Sequence, residues 1–129
     1  SIDIVVHNVG GGLGVKNPLA EVKDWYEVWK FNVGITIEMN RVLIPPMQKK
    51  RWGRIIHISS ISAVTGGTMI KPYGGAPAYS CAKAYLNMYT KVIGREFAKD
   101  NVVLLKRKND IPEKFSIYTH KNFNKYSRN

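Results

Sequence analysis

The chain has 129 residues, 44% of them hydrophobic, which suits one globular domain with a modest core and excludes a wholly disordered protein. Its formal net charge is +11, and residues 106–129 are the most basic part, with seven Lys or Arg against two Asp or Glu. A single cysteine, Cys81, excludes an intrachain disulfide, and the three histidines lack metal-ligand spacing, so we predict no metal site. Because no apolar run could span a bilayer and no signal-peptide pattern is found, we expect a cytoplasmic protein without membrane contact.

The first half of the chain predicts a strand, a glycine turn and a long helix. Residues 2–7 are mostly β-branched and predict a short buried strand, which the glycines at 10–12 close. Asp24 is a candidate N-terminal cap for a helix that the apolar spacing extends to about Ile44. Pro45 and Pro46 should kink or interrupt that helix.

The second half predicts two more strands around another helix. Residues 54–59 predict the second strand, and the Gly- and Pro-rich stretch 61–77 predicts a loop. A helix is expected over about 78–99, followed by a short third strand at 102–105. Strand, helix and strand in this order imply right-handed crossovers, so we predict an α/β fold with a parallel sheet.

Tyr79 and Lys83 form the most informative pair in the sequence. They stand one helical turn apart, so an ammonium on the same face of the helix can stabilise a phenolate. A phenol supported in this way can donate and accept protons in redox chemistry on a carbonyl or an alcohol. The spacing alone is weak evidence, because Tyr26 and Lys30 share it without a comparable setting.

Two further polar residues are candidates by position. Ser60 follows the second strand, and ligands in open α/β sheets bind beyond the carboxyl ends of the strands, although Ser59 and Ser62 are rivals for the same role. Asn32 lies inside a predicted helix, where Asn is a poor helix former. From its residue type alone, we would expect the Asn32 amide on the surface of the helix.

Four segments resemble, in order, motifs of the short-chain dehydrogenase/reductase family, and the resemblance covers roughly residues 2–102. The stretch at residues 7–10 resembles the family's N-N-A-G turn, with His7 and Val9 in place of Asn and Ala. Residues 31–33 resemble the segment of the catalytic Asn, residues 53–60 resemble the strand that ends in the catalytic Ser, and Tyr79 with Lys83 completes the tetrad.

The resemblance implies a function and a set of site residues. The expected fold is a partial, doubly wound Rossmann-like parallel sheet, the cofactor is NAD or NADP, and the substrate is a small-molecule carbonyl or alcohol. The resemblance assigns catalysis to Asn32, Ser60, Tyr79 and Lys83. It assigns cofactor binding to Asn8, Gly10, Tyr79 and Lys83.

Parts of the family pattern are missing from the sequence. The N-terminal cofactor-binding strands with their glycine-rich turn, and the C-terminal substrate region, have no counterpart here. We therefore divide the chain into a catalytic half at 1–105 and a basic divergent tail at 106–129, and expect the fragment to be inactive by itself. The strand at 2–7 would then be an uncovered edge, which predicts association, poor solubility or cover by residues 115–126.

The sequence also allows two other functions. The tail interleaves basic and aromatic residues, which could bind nucleic acid. Its composition is also that of a solvated polar end, and we favour that interpretation. The resemblance also allows a non-catalytic homo-oligomer that pairs through its two long helices.

Overall fold

A parallel sheet organises the chain in the computed structural model, which describes residues 2–67, 76–108 and 116–117. Strands β1 (Ile4–His7), β2 (Gly53–Ser59) and β3 (Val102–Lys108) are parallel neighbours in that order, and β4 (Ser116–Ile117) adds an antiparallel pair to β3. Ile4 pairs with Arg54 and His7 with His57, so β1 and β2 run in register to the end of β1. The fold is α/β, a partial Rossmann-like sheet as the sequence predicts.

Helices connect the strands. Helix α1 (Val22–Trp29) continues through a π-helical turn (Lys30–Gly34) into α2 (Ile35–Lys50). Both helices lie between β1 and β2 in the sequence. A single turn, α3 (Ser62–Thr65), and the long helix α4 (Pro77–Phe97) lie between β2 and β3, with a 3₁₀ turn at Ala98–Asp100. Within the described ranges, none of these helices combines the length and apolar character needed to cross a membrane.

The core lies on one face of the sheet. Helix α2 supplies Ile44 and Met47, which pack with Ile55 of β2 and Leu104 of β3. A second cluster joins α1, the π-helical turn and α4, and its buried members are Val28, Val33, Ala78, Ala82 and Leu86. On the opposite face, Ile4 and Val6 of β1 are exposed, because side chains alternate between the faces of a strand.

The structure departs from the predicted elements at four places. The first helix begins at Val22, with Glu21 at the N-cap position and without a capping hydrogen bond from its side chain, whereas Asp24 lies in the first turn. The helix is not interrupted at Pro45 and Pro46, because α2 runs through them to Lys50 and the packing of the neighbouring apolar side chains outweighs the lost backbone donors. Strand β3 extends beyond residue 105 to Lys108, and the predicted loop contains α3, whereas residues 68–75 of that loop lie outside the described part.

Candidate functional site

The candidate residues gather where the parallel strands end. Strand β1 ends at His7 and is followed by Asn8 and the glycines, and β2 ends at Ser59 and is followed by Ser60. The first turns of α4 carry Tyr79 and Lys83 to the same edge. The carboxyl edge of an open parallel sheet is where such folds bind their ligands.

Asn32 is fully buried in the π-helical turn and joins that turn to the glycine loop. Its Oδ1 accepts a hydrogen bond from the Gly11 amide at 3.0 Å, and its Nδ2 donates to the Gly11 carbonyl at 2.8 Å. The same Nδ2 donates to the Val28 carbonyl at 2.7 Å, four residues earlier. The side chain therefore satisfies three backbone groups, and it is not a surface amide.

The π-helical turn is defined by a wider backbone hydrogen bond. The amide of Ile35 donates to the carbonyl of Lys30, five residues back, which widens the helix by one residue. Because Asn32 bonds the Val28 carbonyl with its side chain, that carbonyl has a partner within the widened turn. The wider turn carries Asn32 toward Gly11.

Lys83 is buried, with 3% of its surface exposed, and its Nζ donates to the Ile58 carbonyl of β2 at 2.8 Å. Gly10 lies against the same ammonium: a Cβ built on Gly10 would stand 2.7 Å from Lys83 Nζ and 2.6 Å from Asn32 Oδ1. Burial lowers the pKa of Lys83 from its ordinary value. The Lys83 ammonium therefore lies between the glycine loop that follows β1 and the Ile58 carbonyl of β2.

Tyr79 and Ser60 lie beside this point. Lys83 Nζ is 5.6 Å from the centre of the half-buried Tyr79 ring, and Gly12 packs against Tyr79 and Ala76. The Oγ of buried Ser60 accepts a hydrogen bond from the Ser62 amide at 3.2 Å, and α3, which Ser62 begins, packs against α4.

The predicted site residues therefore fall into two groups. Gly10, Asn32, Lys83 and Tyr79 meet through the contacts given above. Ser60 follows β2 near the start of α3, and exposed Asn8 lies between His7 and Gly10 on the loop. Which catalytic role each side chain has remains a prediction.

Three backbone groups of the site were missed from sequence. The Ile58 carbonyl and both polar groups of Gly11 are the partners of Lys83 and Asn32. Backbone groups leave no trace in residue type, so only the glycine run at 10–12 could have indicated a close approach.

The family model for short chain dehydrogenases matches residues 1–106 of this chain. Among curated relatives, a 3-oxoacyl-[acyl-carrier-protein] reductase FabG of Aquifex aeolicus is 36% identical over 103 residues, which are 80% of this chain and 39% of the relative. A probable NADP-dependent dehydrogenase of Haemophilus influenzae is 31% identical over 108 residues, covering 79% of this chain and 40% of the relative.

Solved structures agree with this match. The crystal structure of a 3-oxoacyl (acyl-carrier-protein) reductase of Agrobacterium tumefaciens with NADP bound superposes with a TM-score of 0.69 at 27% identity, covering 81% of this chain and 38% of that one. The chain spans about two-fifths of the length of the curated relatives it matches. With its α/β sheet and the family model matching most of its length, this chain belongs to the short-chain dehydrogenase/reductase family.

Proposed function

We propose that this chain is the catalytic part of an NAD(P)-dependent oxidoreductase that interconverts a small-molecule carbonyl and an alcohol by hydride transfer. The observation that supports it most is the contact of Gly10, Asn32 and Lys83 beside the Tyr79 ring at the carboxyl edge of the sheet. In this proposal residues 1–105 form the catalytic half, residues 106–129 are a basic tail, and the protein works in the cytoplasm.

Each side chain has a distinct task in this proposal. Tyr79 donates a proton to the carbonyl oxygen in reduction and removes it from the hydroxyl in oxidation. Ser60 holds the same substrate oxygen through its hydroxyl, and Lys83 places positive charge near the Tyr79 ring. Asn32 holds the glycine loop in place, and its family role is to bind a water that passes protons to Lys83.

The residues fit the nicotinamide end of a dinucleotide. An ammonium has three donors, and Lys83 uses one on the Ile58 carbonyl, so others can reach ribose hydroxyls. Gly10 presents backbone without a Cβ beside that ammonium, and Asn8, two residues earlier on the loop, is exposed. When bound, NAD(P)H would supply the hydride.

Binding of half-cofactors tests this proposal on the chain as it is. Reduced nicotinamide mononucleotide should shift the backbone NMR signals of Gly10–Gly12 and of the Lys83 turn, whereas AMP should leave them in place. Lys83→Met should abolish the shifts, and Lys30→Met should not, because Lys30 has the same spacing from Tyr26 but lies exposed. Equal shifts with both mononucleotides would contradict the proposal.

A titration with intact NADH or NADPH tests the further expectation that the fragment alone is inactive. The adenosine and pyrophosphate contacts supply much of the binding energy of a dinucleotide, and the glycine motif that makes them is not found in this sequence. We expect affinity weaker than micromolar. Low-micromolar binding, or turnover of a carbonyl substrate, would show that residues 1–129 are sufficient.

Homo-oligomerisation is a second candidate function, favoured by two exposed apolar stripes. Helix α2 exposes Ile35, Met39 and Val42, and α4 exposes Tyr85, Met88 and Val92, each set at helical spacing. Light scattering that finds a clean monomer at high concentration would exclude this candidate. The tail at 106–129 lies mostly outside the described residues, and binding of nucleic acid by it remains an unlikely alternative, testable by its salt dependence.

A further inference from the structure

A chain of buried polar groups lies behind the candidate site. His7 Nε2 bonds Asn40 Oδ1 at 2.9 Å, and Asn40 Nδ2 bonds His57 Nε2 at 3.2 Å. His57 Nδ1 bonds Thr90 Oγ1 at 2.7 Å, and Thr90 Oγ1 bonds the Leu86 carbonyl at 2.7 Å. We call these four side chains, His7, Asn40, His57 and Thr90, the polar bridge, and all four are buried.

Donors and acceptors in the polar bridge can be assigned. The Thr90 hydroxyl has one hydrogen, which it donates to the Leu86 carbonyl, so it must accept from Nδ1–H of His57. Burial, with smaller contributions from the charges of His7 and Lys83, lowers the pKa of His57 to about 3, so this ring is neutral and its Nε2 accepts from Asn40. Oδ1 of Asn40 is then left to accept from Nε2–H of His7.

The polar bridge is connected to Lys83 through both β2 and α4. His7 and His57 face each other on the last paired position of β1 and β2, and the next residue of β2 is Ile58, whose carbonyl holds Lys83. Thr90 lies seven residues after Lys83, two turns along the same face of α4. Consecutive residues of β2 are therefore hydrogen-bonded to α4 at two points.

We propose that the polar bridge positions Lys83, with His57 and Thr90 fixing α4 against β2 so that the ammonium stays on the Ile58 carbonyl. These are positioning residues, since they act on the site only through α4 and β2. The proposal rests on the proposed function for its relevance to catalysis, but the structural claim can be tested without turnover.

Loss of the polar bridge should change the environment of Lys83. If Thr90 loses its hydroxyl, Nδ1–H of His57 has no acceptor in a buried place, and the pair moves apart or reorganises. Lys83 would then leave the Ile58 carbonyl and become more solvated, so its pKa would rise toward the ordinary value. The groups that face Lys83 are His57 from β2, Asn32 from the π-helical turn and Tyr79 from α4 itself.

Substitutions at Thr90 test the proposal. Thr90→Val keeps the shape and removes the hydroxyl, Thr90→Ser keeps the hydroxyl, and Ile93→Val weakens the neighbouring core without touching the bridge. Titration of Lys83 followed by its ¹³Cε NMR signal should give an unchanged midpoint for Thr90→Ser and Ile93→Val. For Thr90→Val we expect a rise of about half a pH unit or more, and a folded Thr90→Val protein with an unchanged midpoint would overturn the proposal.

A measurement on the unmodified chain covers the case in which Thr90→Val fails to fold. Histidine ¹⁵N NMR at neutral pH should show His57 as the neutral Nδ1–H form and His7 with a proton on Nε2. The opposite form at His57, or a charged ring, would refute the bridge. Failure of mononucleotide binding with this pattern intact would instead count against the proposed function alone.

Discussion

Gly10 is the residue on which the candidate site depends most directly, because two buried side chains meet where its Cβ would be. Asn32 Oδ1 and Lys83 Nζ are both held by backbone partners, Gly11 and Ile58, so neither can easily move aside. A glycine here is required by space rather than by backbone angle.

Gly10→Ala should therefore destabilise the fold by about 1–3 kcal/mol, the usual cost of overpacking a well-packed place. The matched control is Gly11→Ala, whose Cβ would lie 3.6 Å from the Phe31 ring, an ordinary contact. Urea unfolding should show a loss for Gly10→Ala and little change for Gly11→Ala. Equal stability of the two variants would mean that Lys83 and Asn32 are not packed as described.

His57 makes stability depend on pH in a defined window. Its pKa is about 3 in the folded protein against an ordinary value of 6.5, so between these values the unfolded chain binds the extra proton. The contribution is complete above pH 6.5 and is lost as pH falls toward 3, by up to about 1.4 kcal/mol per pH unit. Burial lowers the pKa of His7 as well, which acts in the same direction.

Free energies of unfolding measured from pH 7 to pH 3 should show this slope. His57→Asn should be less stable at pH 7 because it disrupts the polar bridge, but its stability should fall less steeply with acid. If the unmodified chain and His57→Asn have parallel profiles, the imidazole is not buried in its neutral form.

At the scale of elements, the sequence predicted the order of strands and helices because apolar runs and glycine breaks are local signals. It did not predict that the helix continues without interruption through Pro45 and Pro46, where Ile44 and Met47 pack in the core. The predicted cap Asp24 was also wrong, because the helix begins at Val22 after Glu21. Motif resemblance named Gly10, Asn32, Tyr79 and Lys83, which lie close together in the structure, and their roles stay predictions. Their backbone partners could not be found, since Gly11 and Ile58 contribute only main-chain atoms.

The π-helical turn and the glycine loop should behave as one unit, since Asn32 alone joins them with two hydrogen bonds. Asn32→Ala should cost about 1–3 kcal/mol and speed exchange of the Gly11 amide, because buried backbone groups lose their partner. Asn17→Ala is the control, as that exposed side chain makes a local bond to the Leu19 amide. Hydrogen exchange that leaves Gly11 protected in Asn32→Ala would refute the link.

For the whole molecule, the sheet has one face packed by helices and a second face that is exposed at β1. Ile4 and Val6 of β1 are 59% and 55% exposed, and the outer edge of β1 has no paired strand among the described residues. Of the three outcomes expected for this edge, which were association, poor solubility and cover by residues 115–126, the cover is not made by the described part of that segment. Ser116 and Ile117 pair instead with β3, at the opposite edge.

Association through this face and edge should be concentration-dependent, because unpaired strands and exposed apolar side chains find partners. Val6→Lys should reduce the associated fraction in sedimentation velocity without lowering the melting temperature. Val5→Lys should unfold the chain instead, since Val5 packs against the core of α2, β2 and β3. Undiminished association of Val6→Lys would place the contact elsewhere, with the stripes of α2 and α4 as the next candidates.

The π-helical turn also determines which side chains of α2 face the sheet. Buried residues recur at every fourth position through Val28, Asn32, Thr36, Asn40 and Ile44. In an uninterrupted α-helix, side chains four residues apart differ in direction by about 40°, so the direction would rotate by about 160° from Val28 to Ile44. The extra residue of the π-helical turn removes about 100° of that rotation. The same residues wound as a regular α-helix would have their later half rotated by about 100° away from the sheet, so the irregularity is what allows one continuous helix to serve both the glycine loop and the sheet.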